Sequence, residues 1–275
     1  MERTEVILFW FAFLAYATAF VFFAYYLVTR RAGQNRLALA LAGLGFALQT
    51  VAIGLRVARA GHAPVVGAYE SLLTISWCVM LVYLVLEWRT QVKALGLFVM
   101  PAQVVLLLVA WTQYEAPAVL RPALKSDIVV IHVVVIFTAV AAFVVAGGAA
   151  AIYLVEERLL KAHRATRVLG RLPSLQTLDR LTTHAVMFGF PFLTMGIVAG
   201  VVRAQKFGVA GWYGDPLVLL AFGAWLVYVA CLAARHYGGW RGRRTAWFAL
   251  AGLACLLLIR FLAIPYLSDF HTWGA

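Results

Sequence analysis

Eight apolar runs, each about 20 residues long, determine what this chain folds into. A helix needs about 20 apolar residues to cross the hydrocarbon core of a bilayer. The predicted spans are approximately residues 6–28, 37–58, 66–88, 93–112, 128–155, 182–202, 216–234 and 245–264. A membrane β-barrel is excluded, because its strands give segments of about 10 residues with alternating polarity. We therefore predict an all-α, polytopic membrane protein with about eight transmembrane helices, forming a single integral membrane domain over residues 1–275.

The composition agrees with this fold class. Of the 275 residues, 64 % are hydrophobic and 12 % are charged, whereas about a quarter of the residues of a soluble domain are charged. A secretory signal peptide opens with basic residues and a short apolar core, but here Glu2 and Glu5 flank a run of more than twenty residues. The first run is therefore predicted to remain in the protein as a transmembrane helix.

The basic residues give the orientation. The formal net charge is +12, and 15 of the basic residues lie in the loops after the first, third, fifth and seventh spans, against seven on the other side. Lysine and arginine accumulate in cytoplasmic loops, so both termini are predicted to face outward. No basic run is interleaved with aromatic residues as a nucleic-acid groove requires. We therefore expect the lipid bilayer, but no nucleic acid, as a partner.

Small and helix-breaking residues predict local features of the bundle. Gly196 and Gly200, four residues apart, allow two helix backbones to approach closely. Within the cytoplasmic segment 156–181, Ser174 is suited to cap a short interfacial helix ahead of the sixth span. Pro101 and Pro191 are residues able to break the fourth and sixth helices.

The polar residues near membrane depth concentrate at the predicted outer ends of the spans. Such residues are costly in a bilayer unless they are paired, ligated or hydrated. The candidates for a cofactor site are His62, His132, His271, Trp212, Tyr213, Asp215, Arg56, Glu70, Arg203 and Arg260. Histidines, arginines and aromatic residues together suit haem, whose iron takes imidazole ligands and whose propionates take guanidinium partners. We expect haem of the b type, bound without a covalent link.

Each candidate also has a structural interpretation. His132 stands among apolar residues of its helix, where it either ligates iron or donates a hydrogen bond to a neighbouring helix. Its pairing with His271 in the C-terminal tail favours the ligand interpretation. Glu70 and Arg56 are equally well explained as a structural ion pair, and Arg203 and Arg260 as snorkelling side chains.

Several segments resemble one family over about Arg56 to His271. They are GHAP from Gly61, AYESL from Ala68 with Trp77 after it, the stretch from Leu172 to Gly200, and the stretch from Trp225 through Tyr228 to Gly242. In these segments the chain is similar to the cytochrome c biogenesis proteins of the CcsA type, including their HemX-like branch. The resemblance implies that haem is handled at the outer face by two histidines flanking a tryptophan-rich loop, here His132 and His271. It also implies a bacterial cytoplasmic (inner) membrane location.

The loop that should be rich in tryptophan departs from the family pattern. The family loop ends in Trp-Asp-Pro-Lys-Glu, whereas this chain has WYGDPLV from Trp212. Three hypotheses follow. The first is a haem-handling component of c-type cytochrome maturation, working with apocytochrome c and a second assembly protein that has an extracytoplasmic domain. The second is a non-catalytic HemX-like regulator of haem biosynthesis or cytochrome assembly, and the third is a haem transporter.

Overall fold

Long helices make up nearly all of the described chain. The structure, a computed structural model, describes residues 2–29, 31–64, 67–90, 95–116, 127–162, 173–206, 208 and 211–261. The helices are α1 (Glu2–Thr29), α2 (Ala32–Ala60), α3 (Gly67–Thr90), α4 (Leu95–Thr112), α5 (Asp127–Lys161), α6 (Leu175–Lys206), α7 (Pro216–His236) and α8 (Arg243–Leu258). Eight helices are long and apolar enough to cross a membrane, and no strand occurs among the described residues. The all-α fold class is confirmed, and the chain is a multi-pass membrane protein.

The sixth span corrects two of the sequence expectations. A separate interfacial helix after Ser174 is not formed, because α6 runs without interruption from Leu175 to Lys206. The predicted break at Pro191 is also absent, and Pro101 likewise lies inside the continuous helix α4. A proline removes one backbone donor, and membrane helices tolerate that loss when neighbouring groups satisfy the freed carbonyl. The orientation of the termini remains a prediction.

The chain divides into two compact units. Unit 1 comprises Met1–Leu120 and Glu156–Ser174, and it contains α1 to α4 with the last residues of α5. Unit 2 comprises Arg121–Val155 and Leu175–Ala275, and it contains the rest of α5 with α6 to α8. The single integral membrane domain over residues 1–275 stays a prediction.

In unit 1, α1 packs against α2 by placing large side chains over small ones. Tyr16 and Phe23 lie seven residues apart on one face of α1, and both are buried. The facing stripe of α2 contains Ala38, Ala42 and Gly45. A β-carbon at Gly45 would lie only 2.7 Å from Cε1 of Tyr16. The small residues thus let the Tyr16 ring lie against the α2 backbone.

A polar layer crosses the middle of unit 1. The Tyr16 hydroxyl donates to Oε1 of Gln49 at 2.7 Å, and Nε2 of Gln49 donates to the Leu73 carbonyl at 3.0 Å and to Oγ of Ser76 at 3.1 Å. Nε2 of Gln103 donates to the Ser76 carbonyl at 2.8 Å. One layer therefore links all four helices of the unit. Along α3, the buried residues Leu72 and Leu73 lie on one side of this layer, and the buried residues Val79 and Met80 lie on the other.

Unit 2 is held by ring stacking and by small residues. The Phe143 ring of α5 stacks on the Tyr228 ring of α7 with centroids 3.8 Å apart. The other side of Tyr228 lies against Gly252 of α8, where any side chain would collide with the ring. The Trp225 indole N–H donates to the Thr194 hydroxyl at 3.0 Å. These contacts fix how α5, α6, α7 and α8 are rotated within the unit.

Two glycines of α2 provide a test of this packing. In Gly45→Ala the new methyl group overlaps the Tyr16 ring, and we expect the protein to lose about 1–3 kcal/mol of stability. Gly43→Ala is the matched control, because nothing lies within 4 Å of a β-carbon there. The midpoint of thermal unfolding in detergent should fall in the first variant only. Equal midpoints would contradict this account of the helix pair.

Candidate functional site

The candidate residues fall into two groups, one in each unit. Unit 1 contains Arg56, Glu70 and His62, and unit 2 contains His132, the Trp212 loop, Arg203 and Arg260. His271, the second predicted iron ligand, lies outside the described residues. The structure therefore gives the surroundings of His132 and leaves its pairing with His271 as a prediction.

Arg56 is the centre of the group in unit 1. Its side chain is 2 % exposed, and its Nε lies 2.9 Å from Oε1 of Glu70. Its Nη1 lies 3.3 Å from Oε1 of Glu5, and its Nη2 donates to the Glu115 carbonyl at 2.8 Å. Both carboxylates are buried. The ion pair between Arg56 and Glu70, one of the two interpretations of the sequence, is thus formed, and Glu5 is a second partner.

Further charges and rings surround this guanidinium. Arg59 pairs with both Glu5 and Glu2, the latter at 3.5 Å. The Arg56 Cζ atom lies 5.0 Å from the centre of the Tyr69 ring and 5.8 Å from that of Tyr114, within the range of cation–π attraction. Burial, and next the negative charge of Glu5, raise the pKa of the Tyr114 hydroxyl. That hydroxyl therefore stays neutral at physiological pH.

Sequence reasoning missed Glu5 as a member of this group. Its position was used only to exclude a signal peptide, yet its side chain is 0 % exposed and contacts two arginines. A signal was present in the sequence. Glu5 shares a helix face with Phe9 and Ala12, and all three are buried. A carboxylate on the buried face of a membrane helix requires a cationic partner, and Arg56 and Arg59 are cations in the neighbouring span.

His62 lies in a short loop that is held in place at several points. Its Nδ1 lies 2.8 Å from the Ala63 carbonyl and 4.0 Å from Oε2 of Glu70. Because a carbonyl only accepts, Nδ1 carries the proton and the lone pair of neutral His62 is on Nε2. The Thr74 hydroxyl donates to the Pro64 carbonyl at 2.6 Å and ties the loop to α3.

His132 in unit 2 has the same protonation pattern. Its Nδ1 lies 2.7 Å from the carbonyl of Gly196 on α6. That carbonyl accepts the Nδ1 proton, so Nε2 of the neutral ring keeps the lone pair. The hydrogen bond to a neighbouring helix, one interpretation of His132, is therefore formed. It leaves the other ring nitrogen with the electronic structure of a metal ligand, so the two interpretations are compatible.

The glycine pair of α6 positions this imidazole. A β-carbon at Gly200 would lie 3.0 Å from Cε1 of His132, and one at Gly196 would overlap Ile136. The spacing of the glycines predicted a close approach of two helix backbones, whereas in the structure the glycines accommodate the His132 and Ile136 side chains of α5. Arg203 stands one turn beyond Gly200 on the same face of α6. The contact that sequence reasoning missed is the Gly196 carbonyl, since backbone acceptors leave no mark in a sequence.

The remaining candidates of unit 2 lie at the same ends of its helices as His132. The 3-10 turn Trp212–Gly214 carries a half-buried Trp212 and an exposed Tyr213, with ring centroids 6.1 Å apart. Asp215 caps α7, since its Oδ1 accepts the Leu217 N–H at 2.8 Å. Arg260 lies near the end of α8, with Cζ 6.0 Å from the Phe261 ring centre. Asp215 therefore has a structural role as the N-cap of α7. This role agrees with its position directly before Pro216, the first residue of that helix.

Within the described ranges, no group of three or more histidine, cysteine, aspartate or glutamate side chains is arranged to hold a metal ion. A bare metal ion bound by several side chains needs such a group. Haem makes a smaller demand, because its porphyrin supplies four ligands and the protein supplies one or two axial ones. Single imidazoles such as His132 fit that demand.

Comparison with known proteins identifies relatives over most of the chain. Residues 65–269 match the family described as Cytochrome C assembly protein. The relatives named "Cytochrome c biogenesis protein CcsA" include that of Chlorella vulgaris, which is 31 % identical over 85 % of each chain. That of Guillardia theta is 30 % identical over 82 % of this chain and 81 % of its own. That of Synechococcus sp. (strain CC9605) is 31 % identical over 89 % and 88 %.

The buried ion cluster predicts unequal roles for two glutamates of α1. Glu5→Gln removes the carboxylate that Arg56 and Arg59 share, and we expect a loss of about 3 kcal/mol because the buried Arg56 and the half-buried Arg59 each lose one of their two carboxylate partners. Glu2→Gln is the control, since that side chain is 61 % exposed and its pair should contribute under about 1 kcal/mol. Equilibrium unfolding in mixed SDS micelles measures both. A small effect of Glu5→Gln would refute the central place of this cluster.

Proposed function

The chain belongs to the cytochrome c assembly protein family, and we propose that it acts in c-type cytochrome biogenesis by holding haem at the outer membrane face. Haem is the cargo in this proposal, bound without a covalent link. His132 and His271 are assigned as its axial ligands. The bacterial cytoplasmic membrane and a single membrane domain over residues 1–275 belong to the same proposal.

The hydrogen bond between His132 and Gly196 is the observation that carries the proposal. Iron ligation needs a neutral imidazole with a lone pair on the nitrogen facing the metal. At 2.7 Å from the Gly196 carbonyl, Nδ1 holds its proton and Nε2 keeps that lone pair. Histidines that ligate metals usually donate their other N–H to a carbonyl or carboxylate, which fixes the ring and raises its basicity. His132 has this second partner already in place.

The face of α6 beside His132 supports the assignment further. Gly200 brings the α6 backbone against the imidazole and so limits rotation of the ring. Arg203, one turn beyond Gly200, offers a guanidinium, the group that pairs best with a carboxylate such as a propionate. Arg260 and Arg203 are assigned to the propionates, and Trp212, Tyr213 and Asp215 to the loop against the macrocycle.

The unit 1 residues have a supporting role in this proposal. Arg56 and Glu70 hold each other, and Glu70 also lies beside the loop that carries His62. We therefore assign Arg56 and Glu70 to fixing that loop. His62, whose Nε2 carries the lone pair, stays the candidate haem-binding imidazole of unit 1.

The proposed reaction partners follow from the chemistry of c-type attachment. Haem supplies two vinyl groups, and each forms a thioether when a cysteine thiol adds across it, with the thiol proton passing to the vinyl carbon. This chain fixes the position of the cargo while apocytochrome c supplies reduced thiols. A second assembly protein with an extracytoplasmic domain is proposed to hold the apocytochrome.

Absorption spectra of the purified protein test the ligand assignment. We expect a Soret band whose intensity per protein falls at least about tenfold in His132→Ala and in His271→Ala. His184→Ala is the control, because that exposed histidine of α6 belongs to neither group. Added imidazole should restore the band of His132→Gly, which separates a lost ligand from a misfolded protein. An unchanged spectrum in both alanine variants would refute the assignment.

Deletion of the protein distinguishes the haem-handling role from that of a regulator. The haem-handling role predicts loss of covalently attached c-type cytochromes, whereas a regulator leaves the attachment chemistry intact.

The support of His132 by α6 gives a second test. In Gly200→Val the new side chain pushes against the imidazole, and we expect haem retention to fall roughly tenfold although both histidines remain. Gly223→Val on α7 is the control, since nothing lies within 4 Å of a β-carbon there. Retention is measured as the Soret absorbance left after gel filtration. Equal retention in the two variants would show that α6 does not position the ligand.

A further inference from the structure

The turn between α7 and α8 is held rigidly although most of its residues are exposed. The N–H groups of Gly238 and Trp240 both donate to the Ala234 carbonyl, at 3.0 and 3.2 Å. Gly239 and Gly242 have φ values of 62° and 67°, a region that favours glycine. We call residues 237–244 the arginine–aromatic turn.

Asp179 of α6 anchors this turn through hydrogen bonds. Its carboxylate accepts two hydrogen bonds from Arg235, at 3.0 and 2.9 Å, and a third from the Gly242 N–H at 2.8 Å. A side chain at Gly242 would collide with the Tyr153 hydroxyl of α5. The backbone of the arginine–aromatic turn is therefore fixed on two helices.

The turn lies in a segment of the sequence whose charged residues are all basic. Arg241, Arg243 and Arg244 are all exposed, and the sequence from 216 to 261 contains no aspartate or glutamate. Asp179, which anchors the turn, already has Arg235 as its partner. Charge alone serves to orient a membrane protein, but orientation requires no fixed arrangement of the arginines.

Aromatic side chains stand among these arginines at the ends of two membrane helices. Tyr237 is 87 % exposed and Trp240 is 36 % exposed. The Arg244 Cζ lies 4.8 Å from the centre of the Trp240 ring, so the ring holds the guanidinium in a defined place. Aromatic residues at helix ends lie at the level of lipid headgroups. Arginine forks match the oxygen atoms of a phosphate.

We propose that the arginine–aromatic turn binds the phosphate headgroup of an anionic phospholipid. Charge complementarity indicates this ligand, because exposed guanidinium groups at the level of the headgroups lie beside phosphate diesters. The glycine geometry indicates a built site, because it fixes the turn that carries these guanidinium groups. This site is independent of the haem proposal, because it uses the opposite ends of the unit 2 helices from His132. Each arginine near the surface contributes about fivefold to the binding of an anionic lipid.

Lipid titration of the delipidated full chain in neutral detergent tests the site. The probes are phosphatidylglycerol, phosphatidylcholine and inorganic phosphate, and binding is read by native mass spectrometry. The wild type should retain phosphatidylglycerol over phosphatidylcholine, and Arg241→Gln/Arg244→Gln should bind it about 25-fold more weakly. The control Arg31→Gln/Arg36→Gln removes two exposed arginines elsewhere and should change binding less than threefold.

A charge-neutral variant separates a built site from general attraction. Gly242→Ala moves the turn through strain at φ 67° and collision with Tyr153, and we expect about tenfold weaker phosphatidylglycerol binding at unchanged net charge. Gly223→Ala is its control, and unfolding midpoints verify that each variant is folded. Equal losses in both arginine pairs, unaltered binding in Gly242→Ala, or displacement of the lipid by millimolar inorganic phosphate would overturn the proposal.

Discussion

A charged group stays inside a lipid bilayer only where the protein supplies its counter-charge, and unit 1 is arranged around that requirement. Arg56 is nearly inaccessible, and its partners come from two other helices and from the segment after α4: Glu5 of α1, Glu70 of α3 and the Glu115 carbonyl. Each partner comes from a different part of the chain, so the guanidinium is satisfied only when these parts have come together. The cluster thereby specifies one arrangement of the helices, although an apolar core of the same volume would be no less stable.

The same requirement explains His132. A polar ring in an apolar helix needs an acceptor, and α6 supplies a backbone carbonyl because Gly196 and Gly200 leave room for the imidazole to reach the α6 backbone. The bond that makes the histidine tolerable in a membrane also determines which nitrogen holds the lone pair. Structural and functional interpretations of such a residue therefore need not compete, and for this histidine the structural bond prepares the proposed function.

The sequence predicted what depends on apolar length and on local residue type. All eight helices follow from runs long enough to span a bilayer, and the two glycines at spacing four mark the surface of α6 against which side chains of α5 pack. The continuity of α6 through Pro191 was not predictable, since tolerance of a proline depends on the neighbouring groups rather than on the proline. The helix face of Glu5 marks it as a buried carboxylate, but its partner Arg56 is 51 positions away, and the Gly196 acceptor belongs to the backbone, so neither contact partner is visible in a local pattern.

The polar layer in the middle of unit 1 makes its helices depend on one another. Gln49 accepts from α1 but donates to α3, and Gln103 of α4 completes the layer through Ser76. In a pair of α1 and α2 alone, the two Nε2–H groups of Gln49 lack these acceptors, and lipid supplies none in their place. Satisfying these donors requires α3, and completing the layer requires α4. Each helix of this unit therefore depends on the other three for a hydrogen-bonded interior.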